Sequence, residues 1–537
     1  MPVACISQAR GIMTSDQQQV RGKLLRNVRS EAGARVLYLA TRFFIPPFVL
    51  AHIGMQAYGL YGTLFILVAY IGISTVGFSS AYIKYVAEFA AGNRFDEANR
   101  LLSAGMFITT PVALVVFAVF AFSWSHVAAS MKVPLGLASD ARFLAFAIVG
   151  SFLMCLGLSV FRDALSGLQM IRTVQRIWIL SFVVESALIF ILVGRGWGLR
   201  GMGIAFVARS AIDLGFSAVV AYRCIPWLHV SPRLVDRAAL RRLLSFGSVV
   251  QVNSLLAIFL NTVERVIATP LCGLAAAGLL DISTRLPYMA LSVPGAFVGA
   301  ALPSISDLRG REGTDEEKHA SVRHVYLTCT RYMNAISGTL LGFIAVVSVP
   351  VLTFWLKKVP EGAPLLMTAF AICSQFHLMT GPGTSMVKGI GRPRMEFHYS
   401  LANIAALCVT VPLMRLFFGS WSATSVGLGV ASATICAAIY FISVANRCLQ
   451  IRPMDFLRRS VWPGVLPYVA ALATSLPMRL IAVPQGRLLL FFWLALCFTI
   501  FASLLACLWW TLAAGNNEKA EVLKRMTWLR QSVAAQA

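Results

Sequence analysis

The chain alternates between long apolar runs and short polar stretches. A run of about 20 residues spans a bilayer as a helix, and lipid gives an open strand no hydrogen-bond partners. The pattern predicts an all-α polytopic membrane protein with about 14 transmembrane helices. Their predicted ranges are 34–54, 58–80, 101–125, 142–161, 177–194, 201–221, 243–269, 275–304, 332–355, 364–387, 397–418, 424–445, 461–481 and 488–513.

The pattern of apolar and polar stretches in the first half of the chain recurs in the second half. Gly59 opens an apolar run that leads to Asp96-Glu97, and Gly278 opens a run that leads to Asp315-Glu316. Both acidic pairs fall on the same predicted side of the membrane, so the pattern predicts two pseudo-symmetric six-helix bundles in parallel repeat, plus two appended helices. Two similar halves are typical of transporters, which expose a central site alternately to each side.

The predicted organisation follows from these runs. It begins with a cytoplasmic amphipathic segment (1–33), a first bundle (34–222) and a basic cytoplasmic linker (223–242). A second bundle (243–446), the two appended helices (447–513) and a cytoplasmic tail (514–537) follow. Residues 20–31 are predicted to lie on the inner membrane surface beside anionic lipid. Residues 1–33 lack the apolar core of a signal peptide, and Met1 and Met13 are both candidate starts.

Composition supports membrane residence and explains the charge. The chain is 58% hydrophobic and 13% charged, with a formal net charge of +24. Of its 46 Lys and Arg residues, 32 fall in eight predicted cytoplasmic segments that connect or flank the spans, at 1–33, 84–100, 162–176, 222–242, 306–331, 388–396, 446–460 and 514–537. This bias places both termini in the cytoplasm. No loop is long enough for a folded basic domain, so nucleic-acid binding is not expected.

Metal and cofactor chemistry is not predicted. The eleven cysteines include no C-x-x-C pair and no cluster with histidine. The outer loops are short, with no paired-carboxylate or nucleophile motif. An enzyme such as a polysaccharide polymerase or ligase is therefore disfavoured.

Ionisable residues inside apolar spans are costly, so they mark either an interior site or a structural pair. Arg42 lies deep in the first span and is a candidate contact for an anionic substrate. Arg209 and Asp213 are four residues apart on the sixth span, as are Asp281 and Arg285 on the eighth, and this spacing favours local ion pairs. Arg209 and Arg285 are also substrate candidates, and Asp281 is a candidate for ion coupling.

Two further spans carry polar side chains along one face. Asn253, Asn261 and Glu264 follow one stripe of the seventh span, which marks a helix interface or a cavity wall. The asparagines are candidate substrate contacts. Glu264 either couples an ion or pairs with Arg265 or Arg285. His377 in the tenth span is either a hydrogen-bonded packing residue or a proton relay.

The sign of the buried charge favours an anionic cargo. Arginines within the predicted spans outnumber acids, and a guanidinium donates two parallel hydrogen bonds to phosphate. An exporter of cations would need the opposite sign.

Several stretches resemble bacterial polysaccharide-export membrane proteins, which include the O-antigen and exopolysaccharide flippases of the multidrug/oligosaccharidyl-lipid/polysaccharide (MOP) superfamily. The similar segments are Tyr58–Tyr61, Gly77–Ala81, Tyr85–Glu88, Gly92–Asn99, Asn261–Leu286 and the Pro303 region. Glu264 stands where an acid, commonly Asp, is usual. The resemblance implies two six-helix bundles around a central cavity.

The resemblance also implies a function. Such a protein moves a lipid-linked oligosaccharide, usually on undecaprenyl pyrophosphate, across the bacterial inner membrane for surface polysaccharide biosynthesis. The expected partners are that substrate, membrane lipids, a polysaccharide polymerase and other envelope export proteins. The alternatives are a cation-coupled multidrug exporter, a lipid II flippase or an inactive scaffold. The multidrug branch typically has acids in its first and tenth spans, and this chain has none there.

Overall fold

The computed structural model describes residues 15–243, 258–260, 262–292, 294, 314–356, 358–390, 394–478, 484, 486–515 and 519–520, and their regular secondary structure is helical throughout. The α-helices are α1 Ser15–Ala91, α2 Phe95–Ser130, α3 Ala138–Leu158, α4 Val160–Gly167, α5 Ile171–Gly194, α6 Gly198–Cys224, α7 Val263–Cys272, α8 Leu274–Ala290, α9 Asp315–Val346, α10 Ser348–Leu356, α11 Ala363–Gly389, α12 Arg394–Phe418, α13 Ala423–Cys448, α14 Pro453–Phe456, α15 Trp462–Met478 and α16 Arg487–Leu508. Two π-helical turns, Leu457–Val461 and Trp509–Ala513, flank α15 and α16.

Within the described ranges, nine helices are long and apolar enough to cross a membrane, or ten when α9 and α10 count as one bent span. The chain is therefore an all-α, multi-pass membrane protein, as predicted. The predicted number of about 14 spans stays a prediction, because parts of the ranges 243–269, 275–304 and 461–481 lie outside the described residues.

Helix α1 contains two predicted spans joined at a sharp turn. Gly54 has φ 78 and ψ 170, a positive-φ backbone that glycine adopts without strain. Arg42 and Phe65 would lie about 35 Å apart along a straight helix, yet the Arg42 guanidinium lies 5.9 Å from the Phe65 ring centroid. The chain therefore folds back near Gly54. The backbone stays helical through Pro46 and Pro47.

The ninth predicted span, 332–355, is bent rather than straight. Helices α9 and α10 meet at 76°. Thr368 of α11 donates its hydroxyl hydrogen bond to the carbonyl oxygen of Ala345 at 2.8 Å. Within a membrane, a neighbouring hydroxyl of this kind satisfies a carbonyl freed by a helix break.

The chain divides into two compact units, Met1–Gly278 and Leu279–Ala537. The predicted division at a linker over 223–242 stays a prediction. In the first unit α5 packs along α6, α6 against α3, and α3 against α2. Tyr82 of α1, Leu102 of α2 and Leu165 of α4 share one buried core, and this core draws the short helix α4 inward.

Small residues allow the closest backbone approach in the first unit. A Cβ added to Gly59 of α1 would lie 1.8 Å from the carbonyl oxygen of Leu274, and one added to Gly278 would lie 3.2 Å from the Gly59 Cα. Glycines without side chains let membrane helices approach this closely. Gly59 and Gly278 are the two residues that open the predicted sequence repeat.

In the second unit, α9 packs against α11 and α15, α12 against α13, and α15 against α16. Helix α15, the first of the predicted appended pair, approaches α9 through glycines. A Cβ on Gly338 of α9 would lie 2.8 Å from the carbonyl oxygen of Gly464 on α15. Close packing of small residues therefore attaches this helix to the unit.

The repeated motifs occupy matching local positions. Asp96 and Glu97 lie in the first turn of α2, and Asp315 begins α9, which Thr314 and Glu317 cap reciprocally. Acidic residues at a helix start complement the helix dipole. The parallel relation of the two halves remains a prediction from the sequence.

Candidate functional site

Arg42 lies among aromatic rings contributed by its own helix, α1. Its guanidinium is 5.1 Å from the ring centroid of Tyr38 and 5.9 Å from that of Phe65. Tyr38 precedes Arg42 by one helical turn, and Phe65 reaches it because α1 folds back at Gly54. A guanidinium held over aromatic faces is attracted by their quadrupoles, so its position is fixed.

Arg209 of α6 is held in the same way. Its guanidinium lies 5.3 Å from the ring of Phe182 on α5 and 5.9 Å from that of Phe206 on α6. Phe206 contacts Phe65 at 4.9 Å between centroids, and Phe182 contacts Tyr38 at 5.8 Å. These contacts join two predicted substrate residues into one closed arginine–aromatic cluster, which consists of Tyr38, Arg42, Phe65, Phe182, Phe206 and Arg209.

Glu185 of α5 places one carboxylate beside this cluster. Its Oε2 accepts a hydrogen bond from Arg209 Nη1 at 2.9 Å, and its side chain is only 7% exposed. The predicted ion pair of Arg209 with Asp213 is wrong, because the structure pairs Arg209 with Glu185 instead. Packing of α5 on α6 offers Arg209 a carboxylate across the helix interface, whereas Asp213 accepts from Arg162 at 3.3 Å.

A second charged group in the first unit was missed by the sequence analysis, which read residues 162–176 as a connector. Asp163 of α4 is buried, lies 3.6 Å from Arg162 Nε, and accepts a hydrogen bond from Ser79 Oγ at 2.7 Å. Burial raises the pKa of the Asp163 carboxyl, while the Arg162 charge and the Ser79 hydrogen bond act in the opposite direction. Apolar residues on both sides of Arg162-Asp163 were the available signal.

The polar stripe predicted on the seventh span is only partly described. Asn253 and Asn261 lie outside the described residues. Glu264 is fully buried, and its Oε1 lies 3.6 Å from Arg265 Nε, one of its two predicted partners. Thr269 of α7 contacts Thr63 of α1 at 3.1 Å between hydroxyl oxygens, which fixes α7 against α1.

The predicted candidates of the second unit lie in structural contacts. Asp281 accepts a hydrogen bond from Arg285 Nη2 at 2.5 Å, which confirms the local pair on α8. His377 Nδ1 lies 2.8 Å from the hydroxyl oxygen of Tyr399, as expected for a hydrogen-bonded packing residue.

An amide network in the second unit was not predicted. Gln375 of α11 donates to Asn334 Oδ1 of α9 at 3.1 Å, and Asn334 Nδ2 donates to the Ser460 carbonyl oxygen at 2.8 Å. These polar residues sit in apolar helices, so their burial between helices could have been inferred, but their partners could not.

The arrangement in the first unit suits binding of an anion. Two guanidiniums and one carboxylate give the cluster and Glu185 a formal net charge of +1. Among the described residues, no group of three or more His, Cys, Asp or Glu side chains could hold a metal ion.

Comparison with known proteins agrees with this picture. A family described as "Polysaccharide biosynthesis protein" matches residues 38–309, about half of the chain. The uncharacterised membrane protein EpsK of Bacillus subtilis (strain 168) is 22% identical over 354 residues, covering 64% of this chain and 68% of EpsK.

Solved structures share the fold. The lipid II flippase MurJ in an inward closed conformation gives a TM-score of 0.68 at 11% identity, covering 91% of this chain and 100% of that one. An inward-facing multidrug resistance MATE transporter of the MOP superfamily gives a TM-score of 0.65 at 13% identity, covering 77% of this chain and 94% of that one. The family match covers half of the chain, and the curated relative and the shared fold agree with it: the chain belongs to the polysaccharide biosynthesis protein family.

Proposed function

We propose that this membrane transporter moves a lipid-linked oligosaccharide of the undecaprenyl-pyrophosphate type from the inner to the outer leaflet of the bacterial inner membrane, for surface polysaccharide biosynthesis. Both termini then lie in the cytoplasm, as the distribution of Lys and Arg predicts. The predicted partners are the lipid-linked substrate, surrounding lipids and a polysaccharide polymerase.

The arginine–aromatic cluster is the observation that supports this cargo. A pyrophosphate that leaves water needs fixed cationic donors, because isolated charge in a low-dielectric medium is strongly unfavourable. Arg42 and Arg209 supply permanent charge and forked donors, and the four aromatic side chains hold them in place. Glu185 compensates Arg209. We place substrate contact on Arg42, whose guanidinium is held between the rings of Tyr38 and Phe65.

The test is an Arg42→Gln substitution in a strain that lacks the native gene. We expect surface polysaccharide to fall about tenfold or more, since one charge-assisted contact of about 1.5–3 kcal/mol is removed. Oligosaccharide-lipid should accumulate on the inner leaflet while the protein level stays normal. The matched control is Arg142→Gln: Arg142 also lies over an aromatic ring, Phe146 at 5.3 Å, but is exposed and outside the cluster.

Unchanged polysaccharide with no trapped intermediate in the Arg42→Gln strain would contradict the proposal. Loss of cation or dye efflux instead would indicate the multidrug alternative. Accumulation of lipid II, with surface polysaccharide unaffected, would assign the cargo to peptidoglycan synthesis.

A further inference from the structure

A basic cavity lies in the second unit, and no residue used above for substrate contact lines it. It has a volume of about 330 Å³ and opens where α9, the π-helical turn Leu457–Val461 and the π-helical turn Trp509–Ala513 meet. Sites for small molecules usually begin at about this volume. The cavity is therefore large enough for a charged head group.

Positive charge dominates the lining. Arg331, Arg458, Arg459 and His324 line the cavity, and none of its lining residues in the described part of the chain is Asp or Glu. Three guanidiniums around one small volume repel each other at close range. An anion in the cavity relieves that repulsion.

Contacts with the fold hold the Arg331 side chain and the backbone turn that carries the exposed Arg458 and Arg459. Arg331 Nη2 donates to the carbonyl oxygen of Ala513 at 2.5 Å, and its guanidinium lies 5.6 Å from the Trp509 ring. Hydrogen bonds from Ser460 Oγ to the Leu327 carbonyl oxygen, at 3.1 Å, and from Asn334 Nδ2 to the Ser460 carbonyl oxygen fix the π-helical turn that carries Arg458 and Arg459. Turns of this type recur at functional sites.

The surroundings are those of a membrane surface. The cavity is at the helix ends, where three predicted cytoplasmic segments (306–331, 446–460 and 514–537) meet their spans. Trp462 lines it and is 49% exposed, and tryptophan concentrates at the level of lipid head groups. Leu512 also lines it and is exposed, which offers an apolar path beside the charges.

We propose that this cavity binds the phosphate head group of an anionic phospholipid of the inner leaflet. Arg331, Arg458 and Arg459 would donate to the phosphate oxygens, while Trp462 and Leu512 would contact the start of the acyl chains. Basic pockets between membrane helices on the cytoplasmic side bind such head groups. A free phosphate uses the charges but not the apolar side. This assignment does not depend on the cargo of the transporter.

The experiment uses the purified full-length protein in bilayer discs of phosphatidylcholine with added phosphatidylglycerol, and native mass spectrometry to count retained lipids. The wild type should retain phosphatidylglycerol in preference to phosphatidylcholine. Arg458→Gln/Arg459→Gln should lower that preference about tenfold or more. Arg447→Gln/Arg452→Gln removes the same charge from exposed arginines outside the cavity and should leave the preference unchanged.

The charge-retaining variant Arg458→Lys/Arg459→Lys should keep most of the preference, because lysine also binds phosphate. This separates loss of charge from disturbance of the π-helical turn. Equal preference in the wild type and the Gln double variant would overturn the proposal. Displacement of the lipid by millimolar inorganic phosphate would assign the cavity to free phosphate, and stronger retention of a polyprenyl pyrophosphate would assign it to the cargo; either result overturns the phospholipid assignment.

Discussion

The two units join their helices with different chemistry. In the first, ion pairs cross helix interfaces: Arg209 of α6 with Glu185 of α5, and Arg162 of α4 with Asp213 of α6. In the second, described contacts between helices include the neutral pairs Asn334–Gln375 and His377–Tyr399, and Arg331 donates to a backbone carbonyl oxygen rather than to a carboxylate. Its Asp281–Arg285 ion pair lies within one helix, α8.

This difference indicates which unit keeps charged side chains in contacts between its helices. A buried ion pair gives little net stability, because desolvation offsets the attraction, but loss of one partner leaves a costly uncompensated charge. Neutral amide and hydroxyl contacts contribute about 1 kcal/mol each. Among the described residues, ion pairs between helices therefore occur in the unit that holds Arg42 and Arg209, where the proposed function gives a reason to keep charge.

The largest expected effect is in the first unit. Glu185→Ala should lower the free energy of unfolding by about 3 kcal/mol, the lower end of the range for breaking a buried ion pair, because the partly buried Arg209 loses its carboxylate. Thermal unfolding in detergent checks this. The double variant Glu185→Leu/Arg209→Leu should recover most of the loss, since no charge is left alone. If Glu185→Ala were as stable as the wild type, the proposed difference between the contacts of the two units would be wrong.

A smaller effect is expected in the second unit. Asn334→Ala removes the hydrogen bonds to the Ser460 carbonyl oxygen and from Gln375, so it should cost about 1–3 kcal/mol in the same assay. Ser443→Ala is the control, because Ser443 is exposed and bonds only to its own helix at the Ile439 carbonyl oxygen. A cost above that of Glu185→Ala would reverse the order proposed for the two units.

The smallest effect is expected for an ion pair at the surface of the first unit. Arg200 lies 2.6 Å from Asp140, with the two side chains 56% and 33% exposed. Arg200→Gln should change stability by no more than about 1 kcal/mol, because solvent screens the pair. If Arg200→Gln lowered the free energy of unfolding as much as Glu185→Ala, burial would not explain the different contributions of the Arg200–Asp140 and Arg209–Glu185 ion pairs to stability.

The sequence predicted features that depend on one helix at a time. The apolar runs located the helices, and the i,i+4 spacing identified the Asp281–Arg285 pair. The same reasoning chose the wrong partner for Arg209, because an equally spaced carboxylate on the same helix was available at Asp213.

By itself, the sequence determined the membrane location, the helical fold and the residues that carry charge into apolar spans. Only the tertiary structure decided that Arg42 and Arg209 share one aromatic cluster, that Glu185 compensates Arg209, and that Asp163 is buried. The physical reason is that a 3.6-residue period fixes which side chains share a face of their own helix. Packing between helices, and the turn at Gly54, then decide which faces meet.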